Sequence, residues 1–185
     1  MACGRLFGKG FLVHILAVLV YIVPLTGKVT AQNITKRLWV GSGGSVAFNF
    51  KSLTEYSSGK ILNNWSRLNM HYRDTSDTGG DGTSTGWKIV VRASSATIQS
   101  DGAAPDLPLS TIQVKPTTTI PNTTATYITL TDADQIIVES IVDPDASAVT
   151  GEIVISYECG TITPFLLGKQ PDYYFVDLIF TLVEI

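Results

Sequence analysis

From residue 45 onward, apolar and polar side chains alternate with a period of two. Ser45–Phe50 sets Val46, Phe48 and Phe50 against Ala47 and Asn49, and Arg67–Arg73 sets Leu68, Met70 and Tyr72 against Arg67, Asn69, His71 and Arg73. Trp87–Ala93 repeats this, with Trp87, Ile89, Val91 and Ala93 inward and Lys88 and Arg92 outward. Glu152–Cys159 places Ile153, Ile155, Tyr157 and Cys159 opposite Glu152, Ser156 and Glu158. Successive side chains of a strand point to opposite faces, so each run reads as a half-buried strand. Composition and alternation predict further strands at Lys36–Val40, Thr111–Val114, Thr124–Leu130, Gln135–Ile141 and Tyr173–Leu182, and no sustained helical period appears.

Turn-forming residues separate these runs: Gly41-Ser42-Gly43-Gly44, Ser57-Ser58-Gly59, Asp74–Gly86, Asp101–Pro108, Pro116–Asn122 and Asp143-Pro144-Asp145. About eight or nine short strands with such punctuation predict an all-β chain, a single antiparallel β-sandwich of Ig-like or jelly-roll type. No internal repeat and no compositional boundary divides residues 32–185, which are expected to form one domain.

The first 31 residues read differently. Arg5 and Lys9 precede an apolar run from Phe11 to Val23, Pro24 breaks it, and Val29-Thr30-Ala31 offers small residues where a signal peptidase cleaves. This is the pattern of a secretory signal peptide over residues 1–31. A transmembrane anchor is the competing reading, but the run is shorter than the ~20 apolar residues a spanning helix needs. The expected location is therefore extracellular or on the cell surface, with the periplasm the other compartment consistent with export. No transmembrane segment is expected in the mature chain.

Composition narrows the class. Of 185 residues, 44% are hydrophobic and 16% charged, which supplies a core and excludes a disordered chain. Cleavage after Ala31 removes Arg5, Lys9 and Lys28 but no acid, so the net charge falls from −3 to −6. An acidic chain is a poor partner for nucleic acid. Cleavage also removes Cys3 and His14, leaving Cys159 and His71 as the mature cysteine and histidine. One thiol cannot form an internal disulfide, so the fold must rest on its core.

Catalytic chemistry has little to draw on. A Ser-His-Asp or Cys-His arrangement would have to recruit His71, which lies on the polar parity of its strand, and no G-x-S-x-G motif is present. Cys159 occupies the apolar parity and reads as a small buried hydrophobe. Glycine-rich phosphate loops are absent, and no spacing singles out a carboxylate pair. The chain does not read as an enzyme.

Two other constellations are candidates. The loop from Asp74 to Gly82 places Asp74, Asp77 and Asp81 among glycines, and Ca²⁺ takes oxygen ligands from loops of this composition, although the spacing is not that of an EF-hand. A solvated hairpin loop uses the same residues. Trp39, Trp65 and Trp87, with Tyr56 and Tyr72, could stack on a sugar. Trp87 falls on an inward parity, whereas Trp65, which follows Asn63-Asn64 at the expected start of a strand, is the ligand-stacking candidate. Sequons at Asn33, Asn64 and Asn122 permit glycosylation in a suitable host.

The segment Asp172–Ile185 is extended, aromatic and β-branched. One parity is Tyr174, Val176, Leu178, Phe180 and Leu182; the other is also apolar except for Asp177 and Thr181. A strand apolar on both faces is an aggregation hazard at an exposed edge, so this one is expected either at the centre of the sandwich or covered by a partner chain. A signal peptide, an all-β body and no catalytic set together read as a secreted structural or interaction protein, a filament, fimbrial or adhesin-like subunit that associates with itself. The internal disulfide usual in chaperone-assembled pilins has no counterpart here. The alternative is a glycan-binding β-sandwich module, with Ca²⁺ at Asp74, Asp77 and Asp81.

Overall fold

Leu68, Met70 and Tyr72, alternating along one strand, are all but inaccessible to water and build the centre of the molecule. The computed structural model describes residues 35–73, 86–117, 126–140, 149–162 and 166–185, all within the unit Ala31–Ile185. The signal-peptide segment 1–31 lies outside the described residues.

These residues are mostly β-strand, paired antiparallel, with little helix. The strands are β1 (Thr35–Ser42), β2 (Lys60–Arg73), β3 (Trp87–Ala93), β4 (Thr97–Ser100), β5 (Leu107–Pro108), β6 (Ile112–Pro116), β7 (Ile128–Thr129), β8 (Gln135–Ser140), β9 (Val149–Cys159), β10 (Tyr174–Phe175) and β11 (Leu178–Glu184). They form a five-stranded sheet in the order β1-β2-β9-β6-β7 and two three-stranded sheets, β11-β3-β8 and β10-β4-β5.

One core cluster joins the first two sheets: Leu68, Met70, Tyr72, Val114, Ile153, Ile155 and Tyr157 from one, Trp87, Ile89, Val91, Ile137, Val138 and Leu182 from the other. Burying each large side chain stabilises by roughly 1.5–3 kcal/mol. A second cluster lies under the third sheet, with Ala93, Ile98, Leu107, Leu109, Leu130, Cys159 and Leu166.

Several expectations need correction. Ser45–Phe50 keeps its alternation, with Val46, Phe48 and Phe50 half-buried and Ala47 and Asn49 exposed, but joins no sheet. Side chains of β2 take its carbonyls instead: Trp65 Nε1 donates to Ser45 O at 2.8 Å, and Lys60 Nζ donates to Asn49 O. A helix, unexpected from the sequence, follows at Leu53–Ser58 (α1). Ser52 caps it by accepting from Glu55 N, and Gly59 closes it at φ 73°, in the left-handed region that suits glycine.

Trp65 does not start a strand. It sits within β2, in a bulge where the register with β9 slips between Leu62 and Ser66, and Asn64 takes φ 52°. Asparagine is among the few residues that tolerate this conformation. The bulge turns the Asn64 amide onto Ser156 Oγ at 2.9 Å. Ser156, expected to face water, is buried at this contact, and Glu158 on the same parity is buried as well. The Thr124–Leu130 strand is confined to Ile128–Thr129 among the described residues, and Thr111 belongs to a 3-10 turn, Leu109–Thr111, ahead of β6.

Candidate functional site

The expected strand Tyr173–Leu182 is two strands. It breaks at Val176–Asp177, where Asp177 O accepts from Ser94 N at 2.9 Å, so β10 adds to β4 and β11 adds to β3. Neither piece is central: among the described residues, β10 and β11 are each the edge of a three-stranded sheet. The central position considered above is therefore not what this chain adopts.

The segment is anchored at its start by Asp172. Its carboxylate accepts from Ser100 Oγ at 2.6 Å, from Tyr173 N at 2.7 Å and from Ala104 N at 3.4 Å. These donors, the Ser100 hydroxyl first, hold the carboxyl below its ordinary value. Tyr174 donates its hydroxyl to Gln170 O at 2.7 Å, and desolvation raises its phenol above the usual range. Further on, Leu178 pairs with Ala93 and Glu184 with Trp87, and Ile185 N donates to Gly86 O.

The two parities have different environments. Tyr174, Val176 and Leu178 pack on the second core cluster, while Leu178 and Phe180 pack on the first, of which Leu182 is a buried member. These five residues thus hold the segment to its own chain. On the other parity Tyr173 is 83% and Phe175 52% exposed, and Asp177 and Thr181 are exposed. Sequence reasoning singled out the inward set; the accessible aromatics belong to the opposite one. Their signal was already in the alternation, because inward residues of a terminal strand are the ones its own core consumes.

The other candidates are scattered. Asp74, Asp77 and Asp81 lie outside the described residues, among which no group of three or more potential metal ligands occurs. Trp65 is 43% exposed, its indole N–H committed to Ser45 O, and Trp39 lies on β1 with the Arg37 guanidinium 5.7 Å from its ring centre. His71 lies on the outer face of β2, opposite Thr150. Cys159 is buried, and desolvation pushes its thiol up to about 12. Asn64 is exposed, and its Oδ1 accepts from Thr117 Oγ1 at 2.7 Å. Among the described residues, no helix is long and apolar enough to cross a membrane.

No protein-family model matches the chain, and no curated protein matches it in sequence. Among solved structures the chain is similar to one described as the P pilus rod subunit PapA, at a TM-score of 0.41 and 10% identity, covering 80% of this chain and 99% of that one.

Proposed function

We propose that the chain is an exported, non-catalytic structural protein, a single β-sandwich that associates with copies of itself in a cell-surface or extracellular assembly. The observation that carries the reading is the C-terminal segment. It runs along the edges of two sheets with Tyr173 and Phe175 turned to solvent. Unpaired edge strands beside exposed aromatics are the usual means by which β-proteins add a neighbouring chain, and aromatic residues are enriched where proteins meet.

Two further features support it. Side chains of the five-stranded sheet and of β11-β3-β8 share one core, as the layers of a sandwich do. The mature cysteine is buried and held as the thiol, which leaves it without the thiolate a nucleophile needs.

The test is the assembly state of the exported chain, by sedimentation and electron microscopy. Regular oligomers or polymers are expected. Replacing Tyr173 and Phe175 by serine, at positions the core does not use, should weaken association while leaving the melting temperature within a few degrees. A chain that stays monomeric at all accessible concentrations overturns the reading.

A glycan-binding module is the second reading, favoured by Trp65, whose ring is fixed by the Ser45 hydrogen bond and still open to solvent. Binding of oligosaccharides lost in Trp65→Ala, with or without Ca²⁺ at Asp74, Asp77 and Asp81, would favour it.

A further inference from the structure

Resting on that reading, we propose that the contact between copies includes, besides Tyr173 and Phe175, a strand pair of mixed type, the unpaired edge of β11 on one copy against the unpaired edge of β1 on the next. Among the described residues, β1 has β2 on one side only and β11 has β3 on one side only, and within one chain the two edges lie beside each other without pairing. Both edges carry an inward-facing stripe that the core covers incompletely. On β1 this is Leu38, half-buried, and Val40, 52% exposed; on β11 it is Phe180, half-buried, with Leu182 beside it.

Each stripe ends in a charge on the same inward parity. Lys36 stands opposite the buried Tyr72, and Glu184 opposite the buried Trp87. An inward charge on an edge strand is a device that keeps further strands from adding. The two charges here are opposite in sign, so each edge is blocked except toward the other.

The in-phase registers show which pairing the sequence allows. Antiparallel β11 on β11 sets Glu184 against Leu178, and β1 on β1 sets Lys36 against Ser42, leaving both charges without a partner. Antiparallel β1 on β11 with Lys36 opposite Glu184 brings Leu38 to Leu182 and Val40 to Phe180, and on the outer face Trp39 to Thr181. Charge meets charge and apolar meets apolar, the two cross-strand pairings that stabilise a sheet. Since β1 and β11 lie beside each other in one chain, two copies can form both pairs at once, β1 of each against β11 of the other, about a two-fold axis.

Cross-linking distinguishes the three pairings, and it uses Trp39 and Thr181 because both are exposed. Trp39→Cys and Thr181→Cys chains are prepared separately and mixed under oxidising conditions; the native Cys159 is buried. Disulfide-linked dimers containing one chain of each kind are expected, with neither variant linking to itself. Self-linking of Thr181→Cys or of Trp39→Cys, or no linking in the mixture, overturns the mixed edge.

Charge reversal gives the second measurement. Lys36→Glu and Glu184→Lys should each weaken association by more than about tenfold, since like charges then face each other, and the double variant should restore it. Single variants that fold, as judged by circular dichroism, and associate like the unmodified chain overturn the inference while leaving self-association standing. An unmodified chain that never associates overturns both.

Discussion

The hydroxyl of Tyr157 donates to Ser66 Oγ at 2.9 Å, a buried bond between β9 and β2, and Ser66 Oγ in turn donates to Gly43 O. This relay ties the two central strands of the large sheet to the turn that leaves β1. Its members are unequal. Tyr157→Phe removes a donor and leaves Ser66 satisfied by Gly43, so the expected loss is about 0.5–1.5 kcal/mol. Ser66→Ala strands the Tyr157 hydroxyl and the Gly43 carbonyl together, for an expected loss of about 1–3 kcal/mol. Urea unfolding of the two variants measures the order.

Gly43 itself should resist substitution. Its φ is 65°, and a Cβ built there would stand 2.3 Å from Trp65 O and 2.8 Å from Ser66 Cα, both backbone atoms of the bulged strand. Gly43→Ala therefore combines a disfavoured conformation with a collision that no side-chain rotation relieves. A loss of at least about 1–3 kcal/mol is expected, read as a lowered urea midpoint.

The Asp172 anchor makes an acid-sensitive contact. Its carboxyl lies below the ordinary 3.8 because the Ser100 hydroxyl, then the Tyr173 amide, bind the ionised form. A depressed carboxyl stabilises the fold above its unfolded value, and that contribution is lost as pH falls through the folded value. Acid titration should therefore loosen the β4–β10 contact below about pH 4, seen as a shift of the Tyr173 and Ala104 amide resonances, both of which donate to Asp172. Asp172→Asn should show the loosened state at neutral pH and no further shift on acidification.

Cys159 has the opposite sense. The buried thiol stays protonated up to about 12, whereas an unfolded thiol ionises near 9.0, so its contribution is complete below pH 9.0 and is lost as pH rises toward 12. Alkylation at pH 8 should proceed only as fast as the chain unfolds. Rapid labelling of the native chain would show that the second core cluster does not exclude solvent.

Much of this architecture was legible in the sequence. The parities of Leu68/Met70/Tyr72 and Ile153/Ile155/Tyr157 identified the faces that meet in the core, because burial is decided by neighbours two residues away. What failed was non-local. Ser156 alternates as an exposed residue should, yet a bulge at Asn64, 92 positions earlier, sets its backbone amide on the Ser156 hydroxyl. Ser45–Phe50 has the pattern of a strand but finds its partners in the side chains of Trp65 and Lys60, which no periodicity encodes. Tyr173–Leu182 changes sheets at Asp177 because Ser94 claims its carbonyl. The helix at Leu53–Ser58 did leave a signal: Ser52 followed by Glu55 is a capping pair of the S-x-x-E type. Of the site, the segment was legible and its outward face was not.

The pairing of β2 with β9 also constrains the order in which this chain can acquire structure. Ser66 and Tyr157 are 91 residues apart, so on a ribosome moving at 5–20 residues per second the partner emerges roughly 5–18 s late. Throughout that interval the apolar stripe of Leu68, Met70 and Tyr72 has β1 on one side and no β9 on the other, and closing so long a loop is slow even once both strands are present. The nascent chain is thus most vulnerable in its N-terminal half, where a holding chaperone, or transport through a membrane before the second half is made, would have the largest effect on yield.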